Sequence, residues 1–220
     1  MHQQLQLIKE YDYEIYIPLL IMGTAGGDRT AEAVGVLEKN IDFKNNILRI
    51  ENGLDYKDGV LQLTGLKSKA GYRIAPLLPY VANDLKAWIK YRNKKRKEVI
   101  TVVNKETGEK TIDLTRWKND LGLLWCSLED GRPLSQDFLQ HRYKKLRDKY
   151  NDELIEMRPY DFRHSYAAGL RYSGVPMEDI SELIGHTDSS FTHKTYARPI
   201  EKTHYEAAEK LQLSMLGTKK

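Results

Sequence analysis

The residues of this 220-residue chain whose types could do chemistry lie in three separated stretches. The first is Gly27-Asp28-Arg29-Thr30-Ala31-Glu32, with Glu32 three residues after Arg29. The second runs Lys67-Ser68-Lys69-Ala70-Gly71-Tyr72-Arg73-Ile74-Ala75-Pro76-Leu77. The third and densest spans 158–196. It holds Arg163-His164, then Leu183-Ile184-Gly185-His186, and Tyr196 ten residues beyond that histidine. Two arginines, two histidines, a turn lysine and a tyrosine suit phosphoryl transfer without a metal, because guanidinium forks match phosphate oxygens and imidazole can hold or move a proton near neutrality. The sequence contains no carboxylate cluster suggestive of Mg²⁺, no glycine-rich phosphate loop and no H-E-x-x-H motif. Taken singly, each residue also has an ordinary reading. Arg29 and Glu32 can form a helix ion pair, an Arg-His pair at a helix start can be a surface partner, and Lys67 and Lys69 can solvate a turn. Only their order and spacing together favour chemistry.

Composition bounds the alternatives. With 40% hydrophobic and 30% charged residues, 15 Gly and 7 Pro, the chain reads as globular and long enough to bury a core. The longest apolar run, 15–22, contains Pro18 and is too short to span a bilayer. The start lacks a basic-then-apolar signal, and Cys126 is the one cysteine, which predicts a cytoplasmic protein without disulfide or zinc site. The net charge of +4 is modest but unevenly placed. Six of the eight residues 90–97 and five of the eight residues 142–149 are basic. Such clusters suit a polyanion, although each can equally be a solvated helix face.

The elements that must position these residues follow from periodicity. A helix is expected over 4–22, ended by Gly23, Gly26 and Gly27, with a short helix from about Thr30. Strands are expected at 47–51, 60–66 and 72–77, with 68–71 as a hairpin turn between the last two. Val81, Leu85, Trp88 and Ile89 give one face of a helix after Pro79. A second hairpin is expected over 99–114 around Glu106-Thr107-Gly108-Glu109. Ser135 is a suitable cap for a helix through Tyr150 with Phe138, Leu139 and Leu146 inward. Helices are expected at 164–173, ended by Gly174, and from Pro176 to Ile184, ended by Gly185, with a last one after Pro199. The predicted class is α+β, mainly helical with a small antiparallel sheet, in one domain.

The five ordered motifs resemble the catalytic domain of the tyrosine recombinase, or phage-type integrase, family. Arg29 and Glu32 are similar to its first arginine with an acidic residue three on. Residues 67–76 follow most of its K-T-x-x-S-x-R-x-I-P-L spacing, and counting back from Pro76 favours Lys67 over Lys69 as the turn lysine. Tyr160-Asp161-Phe162-Arg163-His164 is similar to its H-x-x-R-H box, with Tyr160 in place of the first histidine. Ile184-Gly185-His186 and Thr195-Tyr196 are similar to its L-G-H box and nucleophilic tyrosine, in the spacing of integrases of phages and mobile elements of Gram-positive bacteria.

The resemblance implies a site-specific recombinase that cleaves and rejoins double-stranded DNA without metal, ATP or other cofactor. Its site would comprise Arg29, Lys67, Tyr160, Arg163, His164, His186 and Tyr196. Tyr196 would attack phosphorus to leave a 3′-phosphotyrosyl enzyme, His164 would take the phenolic proton, and Lys67 would protonate the departing 5′-oxygen. Arg29, Arg163 and His186 would bind the phosphate, with Glu32 orienting Arg29. Residues 94–97 or 142–149 would contact DNA backbone, Tyr72 and Arg73 could also reach it, and the C-terminal helix would dock on a neighbour in a tetramer. Strand relaxation of the type IB topoisomerase kind, or a DNA-binding relative without catalysis, are the alternative readings. Family members usually carry N-terminal core-binding and arm-binding domains. The chain begins where the catalytic domain would begin, so cleavage is expected and complete strand exchange is expected to be weak.

Overall fold

The computed structural model describes residues 1–118, 120–186 and Thr192. The helix expected over 4–22 is two helices, α1 (His2–Tyr11) and α2 (Tyr13–Thr24). Asp12 divides them: its backbone is extended at φ −151° and its carboxylate accepts from the Ile15 N–H, so it caps α2 instead of continuing α1. Every residue of α2 from Ile15 to Gly23 is buried, which makes it the central element, touched by α1, by α3 (Thr30–Val34) and by later helices. A helix apolar on all sides is stable only when surrounded in this way.

The sheet departs from expectation in a way that matters for Lys67. Strand β1 (Ile41–Asp42) pairs with β2 (Ile47–Ile50), which continues after Glu51 into β3 (Asn52–Lys57). Asp58 and Gly59, both at positive φ, turn the chain into β4 (Val60–Gly65), antiparallel to β3. After an excursion over 66–72, β5 (Arg73–Pro76) pairs with β2. The hairpin expected between β4 and β5 is therefore absent. Both strands run along the same continuous partner, with Gly65 opposite Asn52 and Arg73 opposite Ile50. The 68–71 segment closes on itself as a 3-10 turn through Gly71 N–H to Ser68 O and Tyr72 N–H to Lys69 O. β3 lacks a strand signature in sequence, since Asn52, Gly53 and Asp55 are poor strand formers.

Helix α4 (Pro79–Ile100) buries Val81, Leu85 and Trp88 as its periodicity requires, and the Trp88 indole donates to Leu124 O at 2.7 Å. The second expected hairpin is present as β6 (Thr101–Val103) against β7 (Lys110–Ile112). Ser135 caps α5 (Gln136–Lys149) by accepting from the Phe138 N–H at 3.1 Å. The buried stripe of α5 is Leu139, Tyr143 and Leu146, spaced four and three apart. Phe138, expected inward, lies off that stripe and is exposed. Helix α6 (Pro159–Tyr172) starts five residues before the expected 164, with proline in its first turn, so Arg163 and His164 belong to its second turn. Pro176 caps α7 (Met177–Ile184) from just outside it, and Gly185 ends α7 at φ 68°. The helix expected after Pro199 lies outside the described residues. No described helix is long and apolar enough to cross a membrane.

Arg142, one of the residues expected to contact DNA, and Arg92 of the first basic run belong to the architecture. Arg92 is buried and donates to Leu123 O at 2.5 Å and to Glu38. Arg142 binds both oxygens of Asp12 at 2.7 and 2.9 Å and Glu14 at 2.8 Å, pinning α5 to the start of α2. A charged fork satisfied by two carboxylates is already occupied. Replacing it by Arg142→Gln should lower stability by about 1–3 kcal/mol, read as a shift in the urea midpoint, because Asp12 and Glu14 lose a charge-assisted partner.

Candidate active site

Two loop segments, the turn before α3 and the excursion over 66–72, line one cleft, and hydrogen bonds tie the turn after α7 to them. Arg29 sits at the cap of α3, where its N–H donates to Glu32 Oε2 at 3.0 Å and its guanidinium to Glu32 Oε1 at 2.7 Å. Glu32 thus holds both the backbone and the fork of Arg29, while 41% of the Arg29 side chain stays exposed for another partner. The cleft, about 550 Å³, is lined by Arg29, Glu32, Lys67, Ser68, Gln136 and Tyr160, among others. Lys67 therefore faces the same space as Arg29, whereas Lys69 is exposed and does not line this cleft.

Arg163 is the opposite case. Its side chain is buried, with the residue 1% exposed, and it donates to Gly27 O and, at 2.7 Å, to Ile184 O. Among the described residues it has no carboxylate within ion-pairing distance; two carbonyls accept from it directly, and Glu32 and Asp28 act on its charge from further away. Burial, and then Arg29, push its pKa down, though arginine stays protonated at neutrality. A positive charge buried next to a second, half-exposed one creates a field that an anion in the cleft would relieve.

The turn after α7 ties these arginines together. Arg29 donates to Gly185 O at 3.1 Å, Arg163 to Ile184 O, and Arg73 through Nε to Leu183 O at 2.9 Å. Three consecutive carbonyls, left without helical partners at the end of α7, each receive a different guanidinium. Gly185 is needed for this contact. At φ 68°, a Cβ there would stand 2.9 Å from both Ala70 O and an Arg73 nitrogen.

Next in the chain, His186 has its Nδ1 2.8 Å from the buried Thr192 hydroxyl. If that hydroxyl donates, the proton of the neutral ring sits on Nε2. Burial, then Arg163, Arg29, Arg73 and His164, push the His186 pKa down to about 4, so the ring is neutral at pH 7. His186 lines a neighbouring cavity with Tyr72 and Arg73, not the cleft that holds Lys67. His164 is half-buried beneath the exposed Tyr160, whose ring meets it edge-on at 4.8 Å. Burial also lowers the His164 pKa, with Asp161 opposing. Arg29, Arg163 and His186 are thus joined through one turn, Lys67 and Tyr160 face Arg29 across the cleft, and Tyr196 lies outside the described residues.

Arg73 is not where a DNA contact could be made. Its side chain is 5% exposed and bridges Asp28 at 2.7 Å and Glu32 at 2.9 Å. Its place in β5 gave no hint of burial, although an arginine two residues before a buried Ala75 in an alternating strand could have been read as inward-facing. Burial pushes the Asp28 carboxyl up to about 7 against the pull of Arg73. Glu32 suffers the same burial, but Arg73 and Arg29 outweigh it and hold it below its ordinary value. Among the described residues, no three His, Cys, Asp or Glu side chains converge as metal ligands.

This fold is that of tyrosine recombinase catalytic domains. The chain aligns with the solved Tn1549 transposon integrase bound to transposon right end DNA, at TM-score 0.73 and 20% identity, over 96% of this chain and 64% of that one. Residues 2–202 match the phage integrase family, and the chain belongs to it. Among curated relatives, a tyrosine recombinase XerC-like protein of Caldanaerobacter subterraneus is 27% identical over 88% of this chain and 47% of its own length. Tyrosine recombinase XerA of Thermococcus onnurineus is 23% identical over 89% of this chain and 54% of its own length. The chain thus spans about half the length of the curated relatives it matches.

The half-buried His186 gives a direct test of this geometry. In DNA-free protein the His186 imidazole resonances should titrate near pH 4, against roughly 6.5 in denaturant. Because the unfolded chain binds this proton more readily between those values, acidification through the window should favour unfolding at this site. A His186→Gln variant should lose that part of the acid sensitivity of the melting temperature.

Proposed function

We propose that this chain is the catalytic domain of a site-specific DNA recombinase that cleaves and rejoins double-stranded DNA through a covalent 3′-phosphotyrosyl link to Tyr196. The observation that carries the reading is the pair of guanidiniums, Arg163 buried without a carboxylate and Arg29 half-exposed beside it, converging on the turn that leads into His186. A phosphodiester is the anion that would balance them, and its pentacoordinate transition state gathers further charge on the non-bridging oxygens. Arg29 would bind such an oxygen bidentately from the open side of the cleft, with Arg163 supplying a fixed positive field from below. His186, neutral and held by Thr192, would donate from Nε2 to the same phosphate.

The proton steps follow from the remaining groups. Phenol is a poor nucleophile near neutrality, with a reference pKa of about 10, so Tyr196 needs both the cationic field and a base. His164, uncharged at neutral pH, would accept its proton. Lys67, facing Arg29 across the cleft, would deliver a proton to the departing 5′-oxygen as the 3′-phosphotyrosine forms. The reverse sequence, with a 5′-hydroxyl as nucleophile, reseals the strand. The bond energy stays in the protein–DNA link, so the cycle requires no ATP and no metal. DNA would lie along α5, where Gln136, Gln140, His141 and Lys144 line a second cavity that shares Thr30 and Tyr160 with its surroundings. Assembly as a tetramer through exchange of the C-terminal segment, in the cytoplasm of a bacterial host, completes this reading.

Covalent trapping on a pool of nicked duplexes tests it. Wild-type protein should yield an SDS-stable protein–DNA band that Tyr196→Phe abolishes. Lys67→Ala should slow band formation by about 10²-fold or more, while Lys69→Ala stays within about threefold. Absence of a wild-type band despite DNA binding would sink the catalytic reading, and persistence of the band in Tyr196→Phe would mean another nucleophile.

A further inference from the structure

Arg73 makes more separate connections than any arginine that faces the cleft. Its Nε donates to Leu183 O at 2.9 Å and one terminal nitrogen to Gly71 O at 2.9 Å. The other terminal nitrogen reaches Asp28 Oδ1 at 2.7 Å, Glu32 Oε2 at 2.9 Å and Gly26 O at 3.4 Å. These acceptors belong to three stretches remote in sequence, and each stretch carries one of the groups assigned above. Gly26, Asp28 and Glu32 frame Arg29. Gly71 closes the excursion that carries Lys67. Leu183 begins the turn that ends in His186. The side chain is 5% exposed, and Gly185 leaves no room beside it for anything larger than hydrogen. A bound duplex therefore cannot touch it.

We propose that Arg73 is a positioning residue of the strand-cleavage reaction, fixing the mutual placement of Arg29, Lys67 and His186 through a single buried guanidinium. The inference rests on the recombinase reading for its chemistry and on the hydrogen bonds alone for its geometry. Five contacts on three walls require a planar fork with donors on both edges. A lysine ammonium offers the same charge from one point with three donors and cannot reach all three walls together. Glu32 is shared: one oxygen accepts from the Arg29 guanidinium, the other from the Arg29 N–H and from Arg73. Loss of the fork at Arg73 would therefore free Glu32 and, with it, Arg29. Displacement of reacting groups by about 1 Å is enough to cost on the order of 10²-fold in rate.

The test uses Arg73→Lys in the full chain with three measurements. Single-turnover covalent-complex formation should slow by about 10²-fold, while DNA affinity stays within about threefold. Amide hydrogen exchange should quicken together at Gly71, Tyr72, Gly185 and His186, whose N–H groups are bonded in the native turns. The α4 amides around Leu85 and Trp88 should keep their protection. The wild-type chain in rising urea gives a check free of any substitution: those four amides should lose protection together, before α4. Cleavage within threefold of wild type, exchange that quickens uniformly across the chain, or turns that open independently in wild type would each overturn the proposal. If wild-type protein forms no covalent complex but the turns still open as one, the recombinase reading fails while the role of Arg73 in joining them stands.

Discussion

The site depends on how the C-terminal end of α7 satisfies its last carbonyls. A helix end carries roughly half a negative charge and leaves its final carbonyls without intrahelical partners. In this chain α7 has no basic residue in its last turn. The cations come instead from α6, β5 and the turn before α3, and each takes one of three successive carbonyls. Burying a guanidinium costs several kcal/mol unless its donors are met. The helix end meets that cost for Arg163 without neutralising it, which a carboxylate would have done. The result is a positive field that remains available to an anion in the cleft.

The three arginines divide the work by depth. Arg29 is the one with exposed surface, so in the proposed reaction it would exchange water for a phosphate oxygen at little structural expense. Arg163 supplies charge from below. Arg73 is neutralised by Asp28 and Glu32 and contributes geometry. The same chemistry of donor and acceptor thus produces a ligand, a field and a brace, depending only on which acceptors surround the fork and whether solvent reaches it.

Sequence alone singled out candidate residues more readily than it specified the architecture. Arg29, Lys67, Arg163 and His186 stood out because phosphoryl transfer restricts residue type, and the motif order restricted position. The family membership followed from the same boxes, and the mainly helical class from hydrophobic periodicity and helix caps. What sequence could not separate was one arginine's environment from another's. Arg92 and Arg142 looked like members of solvated basic runs, yet Glu38 and the Asp12–Glu14 pair, distant in sequence, claim them. Arg73 looked like a strand surface residue for the same reason. Phe138 and β3 failed differently: a single apolar residue at a helix start leaves the buried face ambiguous by one position, and a polar strand such as Asn52–Lys57 exists because β4 pairs with it, not because of its own propensity.

The double pairing of one long strand has a consequence for how this domain can change. β4 is locked to β3 and β5 to β2 by separate ladders on either side of the 66–72 excursion. Lengthening or shortening that segment would not slip either register, because each flank is indexed independently and a slip would turn the buried Leu48, Ile50 and Ala75 to the wrong face. The strands behave as a ruler with a detachable slider: the lysine-bearing segment can be remodelled while the scaffold keeps its measure.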